Sequence, residues 1–144
     1  MKNIQQLQAE FMDACGQLRH ETPIQPSYES DFPLWKALIV EESAELHQAI
    51  WKFVYCEDED SLKNISEVCA EAVDLVYVTM GLMNYLGLPF MEMFNEIHAA
   101  NMRKCVGGKV IKNEQGKVLK PEGWKAADKL KVIHDAIKKA QAAE

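Results

Sequence analysis

Apolar positions recur at helical spacing along most of the chain, and Pro- and Gly-containing breaks divide it into five segments. The breaks are the three-proline stretch 21–33, Gly87-Leu88-Pro89 and Gly107-Gly108, together with an acidic connection at 57–60. With Asp31 as an N-cap for the second, we predict helices over about 2–19, 32–56, 61–86, 90–105 and 125–142. The pattern therefore indicates an all-α protein, a helical bundle of about five helices forming a single domain over residues 1–144.

Between the fourth and fifth helices the apolar period changes from helical spacing to alternation. Lys109-Val110-Ile111-Lys112 and Lys117-Val118-Leu119-Lys120 flank a turn that ends in Gly116. Two short alternating runs around such a turn predict a small C-terminal β-hairpin. Pro121-Glu122-Gly123-Trp124 predicts a further turn.

The third helix is apolar nearly all round, with no charged residue between Leu75 and Met91. Leu75, Val78 and Leu82 lie on one side of it. Val73, Val76, Tyr77 and Met80 lie on the other. A helix that is apolar on both sides needs partners on both sides, which short helices in one small chain supply poorly. We therefore expect the bundle to be completed by homo-oligomerisation, as a homodimer or a homotetramer.

Four carboxylates interrupt the apolar faces of the second and third helices. Glu42 and Glu45 are three residues apart and share an arc with Trp35, which we expect in the core. Glu71 and Asp74 have the same spacing and share an arc with apolar residues of the third helix. Glu41 lies at the edge of the first arc. Isolated carboxylates on apolar faces are costly, and a divalent cation bound between the two helices is the simplest compensation.

Carboxylates on rigid helices suit Mg²⁺, and metals held in this way activate water against a phosphate group. We expect Glu42, Glu45, Glu71 and Asp74 to be ligands and Glu41 to be the general base. The alternative is a set of buried acids paired with Lys or Arg, but neither apolar face has an obvious basic partner. A di-iron site is disfavoured because no Glu has a His three residues later. The acids at 57–60 are interpreted as a solvated cap of the third helix.

The overall composition excludes several classes. A net charge of −6 argues against a general nucleic-acid or anionic-membrane binder. The longest uncharged run is too short and too interrupted to span a membrane. The N-terminus has no signal-peptide pattern and no cysteine pair has C-x-x-C spacing, so we expect a cytoplasmic protein.

The acidic motifs E-E-x-x-E and E-x-x-D on apolar helices resemble those of the all-α nucleoside triphosphate pyrophosphohydrolases. These are the MazG-like proteins, with their relatives the phosphoribosyl-ATP pyrophosphohydrolases and the helical dimeric dUTPases. The likeness extends from about Phe11 to Asp128. Asn101-Met102-Arg103-Lys104, with the later G-K-V-x-K-P-E-G-W, is similar to a MazG-like subgroup that carries this tail.

The resemblance implies hydrolysis of a nucleoside triphosphate between the α and β phosphates, with Mg²⁺ bound by the four acids and Mn²⁺ as an alternative ion. Glu41 matches the extra acid of the motif, as ligand or base. The resemblance also implies phosphate contacts from Asn101, Arg103 and Lys104, and less directly phosphate or base contacts from Lys120 and Trp124. From the residues alone, Lys104 also fits a charge at a helix C-terminus, and Trp124 fits either a base-stacking platform or a hydrophobic anchor.

Three functions remain open at this point. The leading interpretation is a (deoxy)nucleoside triphosphate pyrophosphohydrolase in nucleotide-pool housecleaning. The second is phosphoribosyl-ATP pyrophosphohydrolase, because the motifs are shared. The third is a non-catalytic nucleotide-binding or helical interaction protein, which the intact set of acids disfavours.

Overall fold

The computed structural model describes residues 1–27, 30–55 and 61–142, and within this part of the chain it contains five helices and no strand. The helices are α1 (Ile4–Cys15), α2 (Phe32–Tyr55), α3 (Ser61–Tyr85), α4 (Phe90–Met102) and α5 (Lys129–Gln141). The all-α prediction is confirmed. The chain divides into two compact units, Met1–Leu88 with α1 to α3 and Pro89–Glu144 with α4 and α5. No described helix has the length and apolar character needed to cross a bilayer.

In the first unit, α3 packs against both α2 and α1. The core consists of Met12, Trp35 and Tyr85, with Phe32, Leu38, Leu82 and Leu86 packed around them. Trp35 is only 4% exposed, which confirms the prediction that it belongs to the core.

Gly81 allows α2 and α3 to approach closely. A Cβ atom built at Gly81 would overlap the six-membered ring of Trp35 and lie 2.9 Å from Gln8 Nε2. The absence of a side chain at this position therefore seats the largest core side chain against the backbone of α3.

Buried amides link α1 to α3. Asn84 Nδ2 donates to Gln8 Oε1 at 2.7 Å and to the Gln5 carbonyl at 3.0 Å. Gln5 Nε2 in turn donates to the Leu88 carbonyl at 2.8 Å. The hydrogen bonds made by the Asn84 NH₂ group and by Gln8 Oε1 offset part of the cost of burying these two amides.

The segment that follows α1 packs against the C-terminal end of α3. Gly87, at φ +64°, lies against the Thr22 carbonyl, where a Cβ atom would collide with the backbone. His20 N donates to the Asn84 carbonyl and Ile24 N to the Leu86 carbonyl, both at 3.0 Å. The first part of the proline-containing connection is thus fixed by backbone hydrogen bonds.

In the second unit, α4 and α5 pack together and are joined by a long connection. Glu96 Oε1 accepts from Asp128 N at 3.0 Å, and Asp128 caps α5 by accepting from Lys131 N. The predicted turn at 121–124 is present, with Trp124 N donating to the Pro121 carbonyl at 3.1 Å.

The structure does not contain the predicted C-terminal β-hairpin. Between α4 and α5 there is an isolated antiparallel bridge between Lys112 and Val118, and another between Val106 and Lys109, but no strand. Asn113 Oδ1 accepts from Gln115 N and Lys117 N, so a side chain organises the turn. Two four-residue runs with no neighbouring sheet have too few ladder bonds and too little buried surface to extend the pairing.

Three helix bounds also differ from the predictions. The helix expected to reach residue 19 ends at Cys15, because Gly16 takes the left-handed conformation at φ +67°. The fourth helix ends at Met102 and not near Cys105. The fifth begins at Lys129 and not near residue 125, because Asp128 caps it. The acidic connection at 57–60 lies outside the described residues, as do positions 28 and 29 of the predicted loop.

One side of α3 is exposed in the single chain. Val73 is 57% exposed, Val76 44% and Tyr77 37%, whereas Met80 is buried. The prediction that this helix has more apolar surface than one chain covers is therefore consistent with the exposure. Nothing within the single chain supports oligomerisation itself, which stays a prediction.

Candidate metal centre

Three carboxyl groups from two helices meet on the first unit. One oxygen each of Glu42 and Glu45, on α2, and of Glu71, on α3, lie within 4.8 Å of one another. Glu42 and Glu71 are half-buried and Glu45 is exposed. Three oxygens at this separation form a donor set of the kind that hard divalent cations prefer.

The register of the α2–α3 pair brings these residues together. Trp35 lies against Gly81, and Glu45, ten residues further along α2, meets Glu71, ten residues back along α3. The two helices therefore run antiparallel, and the same register places Asp74 level with Glu42. Because each acid pair is spaced by three residues, both pairs project from the faces that meet.

The proximity of these acids changes their titration. Partial desolvation, followed by the charges of Glu45, Asp74, Glu71 and Glu41, raises the pKa of Glu42 above its ordinary value. The pKa of Glu71 is raised mainly by desolvation, then by the charges of Glu45, Asp74 and Glu67, with a carboxyl–carboxyl hydrogen bond to Glu45. A raised carboxyl pKa means that the ionised cluster is electrostatically unfavourable without a cation.

No basic side chain neutralises the cluster in the described part of the chain. The ion pairs found there are Lys2–Glu10, Arg19–Asp13, Arg19–Glu21, Arg103–Glu96 and Lys131–Asp135. None of them includes Glu41, Glu42, Glu45, Glu71 or Asp74. The interpretation of these acids as structural ion pairs therefore has no support among the described residues, and the donor set fits a divalent cation.

The other two predicted acids lie outside the three-oxygen group. Asp74 is exposed and borders an open depression on α3 that is also lined by Ile65, Ser66, Cys69, Ala70 and Val73. Glu41 is exposed on α2, where its charge contributes to the raised pKa of Glu42. Glu42, Glu45 and Glu71 therefore form the three-oxygen group. Asp74 and Glu41 lie outside it, and their charges help to raise the pKa of Glu42.

Four of the five predicted substrate-binding residues form a second cluster, in the other unit. Lys104 Nζ donates to Asn101 Oδ1 at 2.8 Å and lies 5.6 Å from the centre of the Trp124 ring system. Lys120 Nζ lies 4.6 Å from the same centre. Trp124 Nε1 donates to the Ala100 carbonyl at 2.7 Å. We call Asn101, Lys104, Lys120 and Trp124 the basic cluster.

Arg103 is oriented differently from the basic cluster. Its guanidinium donates to the carbonyls of Lys125 and Ala126, at 3.2 and 3.3 Å, and reaches Glu96 at 3.5 Å. These contacts fasten the connection before α5 to the end of α4. A phosphate contact from Arg103 stays a prediction, and its present bonds favour a structural role.

Three carboxyl groups on two antiparallel helices define an all-α protein with a site that suits a divalent cation. The model of the phosphoribosyl-ATP pyrophosphohydrolase family matches residues 8–101, about two thirds of the chain, and the chain belongs to this family. The expected relationship to the all-α pyrophosphohydrolases is confirmed. The family's activity is that of a hydrolase acting on nucleotide pyrophosphate bonds. A comparison with curated proteins returns no match.

The matched region contains all five predicted acids and ends at Asn101. Arg103, Lys104, Lys120 and Trp124 lie beyond it, so their roles do not follow from the family match. Glu67 is an acid that the sequence analysis missed. It lies one helical turn before Glu71 and helps to raise the pKa of Glu71. The i, i+4 spacing of Glu67 and Glu71 was the available signal.

Proposed function

We propose that the protein is a Mg²⁺-dependent nucleoside triphosphate pyrophosphohydrolase that acts in cytoplasmic nucleotide-pool housecleaning as a single domain. The reaction cleaves a (deoxy)nucleoside triphosphate between the α and β phosphates and gives the monophosphate and pyrophosphate. The observation that carries this proposal is the unneutralised group of three carboxylates, whose oxygens lie within 4.8 Å of one another. Family membership supports the same bond as the target.

In this proposal Glu42, Glu45 and Glu71 hold the ion and Asp74 completes the ligand set, with Mn²⁺ as an alternative ion. When bound, Mg²⁺ would supply Lewis-acid polarisation of the phosphate oxygens and a lowered pKa of a coordinated water. The half-buried positions of Glu42 and Glu71 limit the water around the cluster, which strengthens their attraction for a cation.

The exposed carboxylate of Glu41 is the proposed general base. A water oxygen forms a bond to phosphorus while the bond from that phosphorus to the α–β bridging oxygen breaks. The leaving group takes the electron pair of that bond; it is pyrophosphate when the α phosphorus is attacked and the monophosphate when the β phosphorus is attacked. Glu41 accepts the proton of the attacking water. Asn101, Arg103 and Lys104 are the proposed contacts to phosphate, with Lys120 as a weaker one, and Trp124 is a weaker candidate for the ligand site.

Phosphoribosyl-ATP is the second candidate substrate, because the matched family model is the one named for it. Both candidates present a triphosphate chain to the same acids. They differ in the base and in what is attached to it, so the phosphate chemistry is common to both.

The test is a panel of ribo- and deoxyribonucleoside triphosphates, the matching diphosphates and phosphoribosyl-ATP, assayed with Mg²⁺, with Mn²⁺ and with chelator. We expect pyrophosphate and a monophosphate from triphosphates, and no turnover in chelator. Water labelled with ¹⁸O identifies the attacked phosphorus by the product that carries the label. Affinity for nucleotide without any product would instead identify the non-catalytic binding protein.

A homo-oligomer is part of the proposal, as a dimer or tetramer with α3 in the interface. The exposure of Val73, Val76 and Tyr77 supports it, since contiguous exposed apolar surface favours association. Mass measurement in solution at micromolar concentration should give two or four times the chain mass of 16.4 kDa. A monomer mass would contradict this part of the proposal and leave the reaction untouched.

A further inference from the structure

Two lysines from different parts of the second unit converge on a single indole. Lys104 follows the end of α4 and Lys120 precedes the turn at 121–124. Their ammonium nitrogens lie 5.6 and 4.6 Å from the centre of the Trp124 ring system, and so no more than about 10 Å from each other. Indole is the aromatic group that attracts cations most strongly.

The position of the indole is itself fixed. Its one N–H group donates to the Ala100 carbonyl at 2.7 Å, and the side chain is half-buried. Trp124 therefore has no donor left for a ligand, and two cations already lie over its ring. A nucleobase that stacked on this ring would compete with two ammonium groups that already lie near it.

The cluster presents donors and positive charge to its surroundings. Lysine has no hydrogen-bond acceptor, so the Asn101 amide must turn its oxygen to Lys104. This contact leaves the NH₂ group of Asn101 available as a donor beside two ammonium groups. The surrounding segment, residues 101–125, has seven Lys or Arg and two Glu in the sequence. Such a surface selects an anion with several negatively charged oxygens.

We propose that Trp124 is a positioning residue that holds Lys104 and Lys120 as a cationic pair for the polyphosphate part of the ligand, and that it does not stack on the base. The choice of a polyphosphate rests on the proposed function. The placement of the lysines by the indole rests only on the contacts of the second unit. Of the two roles that the sequence leaves open for Trp124, this inference rejects the base-stacking platform, and it adds the positioning of the two lysines as a new role.

The first experiment tests the placement without any reaction. Protons on the Cε atoms of Lys104 and Lys120 should show upfield ring-current shifts in the NMR spectrum of the full chain, relative to Lys117. Trp124→Leu, which keeps apolar bulk, should remove both shifts, and Trp124→Phe should keep part of them. Lysine signals at ordinary positions in the wild-type protein would overturn the proposal.

The second experiment tests the ligand class with inorganic tripolyphosphate as the probe. Trp124→Leu should weaken its binding about five- to tenfold, and Trp124→Phe should restore most of the loss because a benzene ring still attracts cations. Lys120→Met should weaken binding similarly, whereas the matched variant Lys117→Met should not. Unchanged binding in both Trp124→Leu and Lys120→Met would overturn the proposal, and each variant's thermal unfolding is measured to confirm that it folds.

Kinetics separate positioning from base stacking. A positioning role predicts that Trp124→Leu raises KM by a similar factor for every base and leaves kcat within about twofold. A stacking role predicts that the loss varies between purine and pyrimidine substrates, and this result would overturn the proposal. If no triphosphate is hydrolysed by the wild-type protein but the lysine shifts respond to tripolyphosphate, the proposed function fails while the cationic pair stands.

Discussion

The two compact units carry opposite charge and build their clusters in different ways. Residues 1–88 contain 15 acidic and 5 basic side chains, a net charge of −10, whereas residues 89–144 contain 7 and 11, a net charge of +4. The overall charge of −6 hides this division. A prediction about ligands made from total charge alone would therefore miss the basic unit.

The acids of the first unit are held by two long helices, and the lysines of the second by loops and one indole. On α2 and α3, the position of each carboxyl follows from helical spacing and from the contact of Trp35 with Gly81. In the basic cluster, side-chain contacts among residues as far apart as Ala100 and Trp124 create the geometry. We therefore expect the acidic cluster to depend on charge and the basic cluster to depend on Trp124.

The largest expected effect is the loss of activity on removing one carboxylate charge. Glu45→Gln or Glu71→Gln should reduce Mg²⁺-dependent pyrophosphate release by more than about a hundredfold. Mutating a residue that only supports a metal ligand already lowers metal affinity or activity about tenfold to a hundredfold, and these residues are proposed to be ligands themselves. The metal-free variants should be at least as stable as the wild type, since each substitution removes repulsion from a cluster with raised pKa values.

Glu92→Gln is the matched control, because Glu92 is an exposed glutamate of α4. It should leave activity unchanged and should cost no more than about 0.3–1 kcal/mol of stability, because Glu92 lies in the first turn of α4 and its charge favours the helix dipole. Full activity in Glu45→Gln would remove that residue from the mechanism. Unfolding of Glu45→Gln in the absence of metal would show instead that the carboxylate is structural.

The second expected effect is stabilisation of the first unit by the ion. At a Mg²⁺ concentration about 100 times Kd, binding to the folded state alone adds about 2.7 kcal/mol to the free energy of unfolding. Thermal unfolding should therefore shift upward with Mg²⁺ in the wild type and in Lys120→Met. The shift should be absent in a Glu42→Gln, Glu71→Gln double variant. A shift of equal size in that double variant would place the ion elsewhere.

The third expected effect tests the contact that sets the register. Gly81→Ala forces a methyl group into the Trp35 ring and should destabilise the protein by about 1–3 kcal/mol, as overpacking of cores does. Trp35→Leu frees space at the same point, so the combined variant should be less destabilised than the sum of the two single changes. Additive losses, measured by denaturant unfolding, would show that this contact does not constrain the helix pair.

The sequence alone predicts much of the first unit because its signals are periodic. Glu42 and Asp74 are equally distant from position 58, and so are Glu45 and Glu71. In an antiparallel pair of helices joined near that position, this symmetry places the acids level with one another. The helical period identifies the shared faces, and the symmetry, which the sequence analysis did not use, also gives the register.

The second unit is less predictable because its order depends on side-chain contacts. Alternating residues at 109–112 and 117–120 suggest strands, yet a single bridge at Lys112 and Val118 is all that forms there. The hydrogen bond from Trp124 to Ala100 joins positions 24 residues apart and leaves no periodic signal. Asp128 as the N-cap of α5 was recoverable from residue type, but Gly107-Gly108 and Gly123 offered competing breaks.

The smallest expected effect concerns pH, and it follows from the sign of two pKa shifts. The pKa values of Glu42 and Glu71 are raised in the folded protein, so the folded state binds these protons more tightly than the unfolded chain does. The metal-free protein should therefore gain stability from these two groups as pH falls from 7 through their folded-state pKa values. Asp13 and Asp135 have the opposite shift, because hydrogen bonds to Arg19 and Lys131 lower their pKa values, and their loss of stability comes at more acidic pH.

The same protons compete with the ion, so the apparent affinity for Mg²⁺ should decrease as the solution is acidified. This decrease should begin at a higher pH than the ordinary glutamate value of 4.5 allows. Titration of Mg²⁺ at a series of pH values, followed by thermal unfolding, measures it. The double variant Glu42→Gln, Glu71→Gln should lose the pH-dependent gain in metal-free stability. If the wild type and the double variant follow the same pH curve, the pKa values of the two carboxyls are not raised in the folded protein, and the acidic cluster is not held in an unfavourable charge state without the ion.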